Sequence, residues 1–492
     1  MFDLTALPLD IYRRNPFRLL GLDPFARRRD IRRRLTDFLS YVELNDTDAL
    51  RSEVQGGFTA LPDEAALRQA AAALEDPFQR LVDELFWFHP QDGGDAGPPS
   101  PLSGSSPTKV AKSVSTWLNQ EDGKDPLPTH NLAVFHHLMA IEVEQRLTQE
   151  ISQGGADGLV HALRQESDYC WRHALARWRW LSEHSGFRNW LGARAEAIGA
   201  DVIDENARND FARRLPVAIL AFNARLALSA AIGCSTEDAR RHRELMREAG
   251  FTAAAIEEAV RVAVEPLMRR IRERLETFRD EINRTNKAAL VGPTRGLIDE
   301  VTPALEALDR LLPNDDGPLT DLHEMLAETA NIAQVAGSKE TGDLAFAVDV
   351  LTRIERHARS ATLKKTLARN IQITRCFFCK MRPGSTGCAV PVGLYKITAV
   401  NPTRKGVSYS KSAIQVPRCQ ECQNAHRSGK GKTAGGMNIL PASKASESVL
   451  VTEEYPNGWK LGSEPSDFEV QQAIQQDISS LLGQLSRRGP RT

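Results

Sequence analysis

Apolar residues recur at helical spacing over most of this chain. Leu67, Leu74, Phe78, Leu81, Leu85 and Phe88 are separated by three, four or seven residues. Residues so spaced share one helical face, which predicts a helix over 63–88. Two helices are expected before it. A short one ends at Gly21 and begins where Asn15-Pro16 places a capping side chain before a proline at the first helical position. The other covers 25–44, with Ile31, Leu35 and Phe38 facing the core. The same period runs from 108 to 370. Ile256, Val260, Val264, Leu267, Ile271, Leu275, Phe278 and Ile282 form a stripe of coiled-coil type, disturbed only by Pro266. Val301, Leu305, Leu308, Leu311 and Leu312 repeat it until Pro313-Asn314-Asp315-Asp316-Gly317 ends it, and Phe346, Val350 and Ile354 mark one more helix.

After 371 the period changes. Gly393–Val400 and Tyr409–Val416 are rich in β-branched and aromatic residues, with Asn401-Pro402 between them, and read as two strands. Residues 91–109 are dominated by Gly, Pro and Ser and predict a flexible linker. The expected architecture is mainly α and multidomain, with a small C-terminal β zinc ribbon. It comprises a helical unit 1–91, a linker 92–107, a helical middle 108–370, a zinc-ribbon-like domain 371–442, and an acidic tail 443–492 with one amphipathic helix near Phe468–Leu485.

Composition changes this picture little. The 492 residues are 41% apolar and 26% charged, as in ordinary globular proteins. Lys and Arg total 63 against 64 Asp and Glu, so the whole chain is not a polycation built to coat nucleic acid. The most apolar run, Leu215–Cys234, is interrupted by Asn223 and Arg225 and reads as a buried helix rather than a membrane span. The N-terminus lacks the basic-then-apolar pattern of a secretory leader. The expectation is a cytoplasmic protein with no membrane association.

The cysteines carry the strongest chemical signal. Five of seven fall between 376 and 422, as Cys376-x-x-Cys379, Cys388 and Cys419-x-x-Cys422. A C-x-x-C pair at a tight turn can aim two thiolates at one ion about 2.3 Å away, and two pairs complete a tetrahedron. Four thiolates suit Zn²⁺ and leave no open position for water, so the expected role is structural. The plain alternative is a redox dithiol or coincidence. Cys388 and His426 stand close enough in sequence to replace a cysteine, and the Cys422-x-x-x-His426 spacing permits a site of three cysteines and one histidine. The stretch 375–433 holds eleven Lys or Arg and one acid, Glu421. That suits a surface for phosphate backbones of nucleic acid, or simply a solvated ribbon whose lysines blunt its edges. Gly429-Lys430-Gly431-Lys432-Thr433 has the end of a P-loop, but His426 stands where its first glycine belongs.

Three segments near the N-terminus carry a family likeness. They are Asn15-Pro-Phe-Arg-Leu-Leu-Gly-Leu22, the basic Asp30-Ile-Arg-Arg-Arg-Leu35, and Ala72-Ala-Leu-Glu-Asp-Pro-Phe-Gln-Arg80. Their order resembles the first helix, the basic second helix and the end of the third helix of J-domain co-chaperones, over about 75 residues. The family's His-Pro-Asp tripeptide is absent from the loop 45–62, and His89-Pro90 comes after the third helix. The resemblance implies docking to an Hsp70-type chaperone without the element that stimulates its ATPase. Independently, residues 13–34 hold nine arginines against Asp23 and Asp30. Arg28, Arg32 and Arg33 form a basic patch that can steer an acidic partner.

No H-E-x-x-H, G-x-S-x-G, G-x-G-x-x-G or complete P-loop occurs. No catalytic residues are assigned, and a non-enzymatic adaptor is expected. His136-His137 read as core and surface packing of a helix rather than ligands, and Cys170 and Cys234 as buried thiols. Trp171, Trp178 and Trp180 could be a stacking platform for bases, but the seven-residue spacing of 171 and 178 favours core packing.

Overall fold

The structure is a computed structural model. It describes residues 4–54, 61–90, 107–121, 123–199, 203–376, 378–379, 382–385, 387–401, 406–427, 433–434, 437–438, 460–461 and 465–476. The fold is mainly α with a small C-terminal β element. It forms two compact units: Met1–Pro266 with Arg310–Leu312, and Leu267–Asp309 with Pro313–Thr492.

In the first unit the short helix Pro16–Leu19 begins as expected, with the Asn15 side chain accepting from the Phe17 N–H. The basic helix is Arg28–Glu43 and buries Ile31 and Phe38. The single helix expected over 63–88 is two, Glu64–Glu75 and Pro77–Leu85. The proline is the reason. A residue before proline is pushed out of the helical region, and Asp76 is extended at φ −79°, ψ 119°. Its side chain then caps the second helix at the Gln79 N–H. A further short helix, Thr47–Glu53, lies in the preceding loop.

The segment 4–90 shares one core with the helices beyond it. Phe86, Trp87 and Phe88 are fully buried. Phe86 packs on Trp178 and Phe222 with ring centroids 5.7 and 5.9 Å apart. Tyr12 Oη lies 2.9 Å from His137 Nδ1, and Asn131 bonds both the N–H and the carbonyl of His89 at 2.9 Å. These partners lie on the helices Pro126–Ser152, Asp157–Glu183 and Glu205–Ile232. The compact unit thus includes helices on both sides of the glycine- and proline-rich stretch, and residues 91–106, which hold most of the expected linker, lie outside the described residues. Helix Pro107–Gln120 starts at its end.

Glu205–Ile232 is apolar enough to cross a membrane by length and composition, with mean hydropathy 1.8, but 56% of that window is buried inside the protein. Its two polar interruptions have internal partners. Asn223 Oδ1 lies 3.0 Å from His242 Nδ1, and Arg225 donates to the Thr5 and Leu7 carbonyls. Trp171, Trp178, His136, His137 and Cys170 are all buried. Cys234 is not. It is exposed, at φ +63°, because the helix stops at Ile232 and Cys234 sits in the left-handed turn before the Ser235 cap of the next helix.

The expected long stripe is the 32-residue helix Ala253–Arg284, continuous through Pro266. Met268 rather than Leu267 takes the buried position after Val264. In the second unit, helices Val291–Asp309, Gly317–Thr341, Leu344–Ile354 and Ala361–Thr374 pack in sequence order. Strands β1 (Val390–Asn401) and β2 (Gly406–Val416) then form an antiparallel hairpin, from Val390 opposite Val416 to Asn401 opposite Gly406. The register shifts once, between Ile397 and Ala399. Helix Gln420–Arg427 follows, then the short strands β3 (Thr433–Ala434) and β4 (Met437–Asn438). Strand β5 (Lys460–Leu461) pairs with the free edge of β1 at Leu394 and Tyr395. The tail helix is seen over 467–476; its expected continuation to Leu485 lies outside the described residues.

Candidate metal centre

The first cysteine pair follows helix Ala361–Thr374, whose last residues turn directly into the site. Thr374 O accepts from the Gly384 N–H at 3.0 Å, and Cys376 N–H donates to Arg382 O at 2.7 Å. This closes a tight turn around Cys376 and Cys379. The Ser385 N–H donates to Arg418 O at 3.0 Å, tying that turn to the residue before Cys419. Gly384 is required at the crossing. An added Cβ would lie 2.5 Å from Pro417 Cβ and 2.8 Å from Leu344 Cδ1.

The hairpin carries the chain out and back, and returns it at Cys419. The sequence suggests that both pairs sit on β-turns of a ribbon. The structure places the second pair differently: Cys419 immediately precedes helix Gln420–Arg427, and Cys422 lies in its first turn. Three residues apart on a helix, the two side chains share one face. The Cys422 N–H points at Cys419 Sγ at 3.5 Å, and the free N–H groups of a first helical turn favour thiolate.

The four sulfur atoms of Cys376, Cys379, Cys419 and Cys422 all lie within 4.8 Å of one another. Cys379 and Cys419 Sγ are 3.9 Å apart. A tetrahedron with metal–sulfur bonds of about 2.3 Å has an edge of about 3.8 Å, whereas a disulfide needs about 2.05 Å. All four cysteines are free thiols, three of them buried and Cys379 half-buried. Burial pushes the Cys376 thiol up, against the backbone N–H groups of Cys379, Cys419 and Phe378, which favour the thiolate. Burial raises the Cys422 thiol further, and the neighbouring sulfurs add to it. Thiolates this close repel each other, and a cation between them removes that cost. The quartet can therefore hold a metal ion.

Of the sequence alternates, Cys388 falls elsewhere. Cys388 Sγ donates to Gln420 Oε1 at 3.1 Å and Gln423 Oε1 at 3.4 Å, and its carbonyl accepts from Arg418 Nε at 2.9 Å. It braces the helix that carries the second pair and is outside the quartet. His426 lies on that helix, but its side chain is outside the described residues. Sequence reading missed the ion pair between Arg382 and Glu421, which joins the turn of the first pair to the helix of the second. Glu421 stands out as the one acid in a basic stretch, and that was the available signal. The P-loop-like segment is largely outside the described residues; what is seen is a helix before it and Thr433 opening β3 after it.

Arg28, Arg32 and Arg33 are all exposed on helix Arg28–Glu43. Arg32 is 3.6 Å from Glu75 and Arg33 3.8 Å from Asp30, both loose surface pairs. The motif residues around them hold the fold together. Asn15 Nδ2 donates to Asp83 O at 2.9 Å. Buried Arg80 donates to the Pro24 and Ala26 carbonyls at 3.0 and 2.7 Å, fixing the entry to the basic helix, and to Glu84 at 3.0 Å. Arg194 grips the same Glu84 from the far side at 2.9 Å. Compared with protein-family models, with curated proteins and with solved structures, the chain finds no match.

Proposed function

We propose that the cysteine quartet holds one structural Zn²⁺ and that the protein is a non-enzymatic adaptor of a reducing, cytoplasmic compartment. The observation that carries this reading is the closed set of four thiols at tetrahedral spacing. Such a set leaves no position for water or substrate and suits a borderline-soft, redox-inert ion. The N-terminal helices, by their J-domain-like segments, dock an Hsp70-type chaperone or another acidic partner through Arg28, Arg32 and Arg33. The exposure of these three arginines supports this part, since weak surface pairs leave their charge available. The test is elemental analysis of the purified chain together with partner capture. One zinc per chain, and recovery of an acidic partner that drops when the three arginines are reversed to glutamate, support the reading. Absence of stoichiometric metal, or recovery indifferent to the reversal, overturns its respective half. A second reading uses the basic ribbon, where Lys411 and Arg427 are exposed, to contact nucleic-acid phosphates. It predicts retention on RNA or DNA that falls steeply between low and moderate salt.

A further inference from the structure

Two consecutive acids in helix Pro77–Leu85 are buried, and only one is neutralised. Glu84 lies between the guanidinium groups of Arg80 and Arg194. Asp83 is 4% exposed and has no ion-pair partner among the described residues. Its one side-chain donor is the Gln79 amide, 3.1 Å from each carboxylate oxygen. Burial pushes the Asp83 carboxyl up to about 7, with the Glu84 charge adding and Gln79 opposing. An isolated buried carboxyl is costly, and native structures pair such groups.

Asp83 lines a cleft of about 460 Å³. Leu7, Ile11 and Leu19 form one side. Ala66, Ala70 and Ala73, spaced four and three apart on helix Glu64–Glu75, form the other and leave a groove where larger side chains would fill it. The lining is mostly apolar, with Gln69, Gln79, Asp83 and Arg14 as its polar members, and small-ligand sites combine an apolar lining with a few polar groups. The other charged lining residue, Arg14, is already paired with Asp10 at 2.5 Å.

We propose that this cleft is a binding site for a small aliphatic primary ammonium, its alkyl chain along the alanine groove and its charged head on the Asp83 carboxylate. The ligand supplies the cation that Asp83 lacks and Glu84 has, and apolar surface for the groove. The site is independent of the metal centre and of the arginine patch.

Calorimetric titration of the full chain with n-hexylammonium tests this, with hexan-1-ol and hexanoate as length-matched probes. Saturable one-site binding of the ammonium is expected, with both other probes weaker by at least about tenfold, the worth of a charged hydrogen bond. Asp83→Asn keeps the shape and removes the charge. It should cut ammonium affinity by at least about tenfold, while tryptophan fluorescence shows an unchanged or raised melting temperature. Ala73→Leu, which fills the groove and keeps Asp83, should abolish binding. No saturable binding to the folded wild type, equal affinity for hexan-1-ol, or undiminished binding to Asp83→Asn overturns the proposal.

Discussion

The aromatic core of the first unit and the cysteine module of the second solve the same problem by different physics. Around Phe86, Trp178, Phe222 and His137, large side chains from distant helices are wholly buried. The buried Glu84 carboxylate there meets Arg80 and Arg194. Between 376 and 427 the buried apolar residues among those described are Phe378, Leu394, Tyr395, Val416 and four cysteines. Among the described residues this apolar core is small beside that of the first unit. Small modules of this kind need a metal or a disulfide. One region buries large aromatic side chains against one another; the other gathers four cysteines that could hold a metal ion.

Metal removal should separate the two most sharply. A strong chelator, or Cys422→Ser, should unfold the module, since structural zinc contributes on the order of 10 kcal/mol to small domains. Proteolysis should then cut within 376–427 first. Tryptophan fluorescence should hardly move, because six of seven tryptophans lie between 87 and 190. The converse is Trp178→Ala, expected to destabilise the first unit by about 3–5 kcal/mol through the cavity it leaves, with metal content unchanged. Glu84→Gln strands two guanidinium groups in the interior and should cost about 3 kcal/mol by urea unfolding. Acid comes last, group by group. Burial pulls His130, His136 and His242 down to about 4 and His137 to about 3. The unfolded chain binds those protons near pH 6.5 and the folded one does not, so this stability is intact above about 6.5 and is lost as pH falls towards 4. Each group should cost about 1 kcal/mol at pH 5.5, read as a falling urea midpoint of tryptophan fluorescence.

Much of the fold is written locally. The stripes through Ile256–Ile282 and Phe346–Ile354, the hairpin around Asn401-Pro402 and the two C-x-x-C pairs are visible in the chain, because period and turn residues act over a few positions. The same holds for the break at Asp76-Pro77, which the residues announce but the run of leucines hides. The brace from Cys388 to Gln420 and Gln423 has no such signature, because it joins residues more than thirty positions apart.

Sequence alone determined the helical character, the strand pair and the four thiols, since each depends on spacing within a few residues. Tertiary structure decided that 4–90 shares its core with Pro126–Ser152 and Glu205–Ile232, that the second cysteine pair rides a helix, and that Asp83 faces a cleft while Glu84 meets two arginines. Those outcomes depend on which surfaces fit together across long stretches of chain, and no local period records that fit.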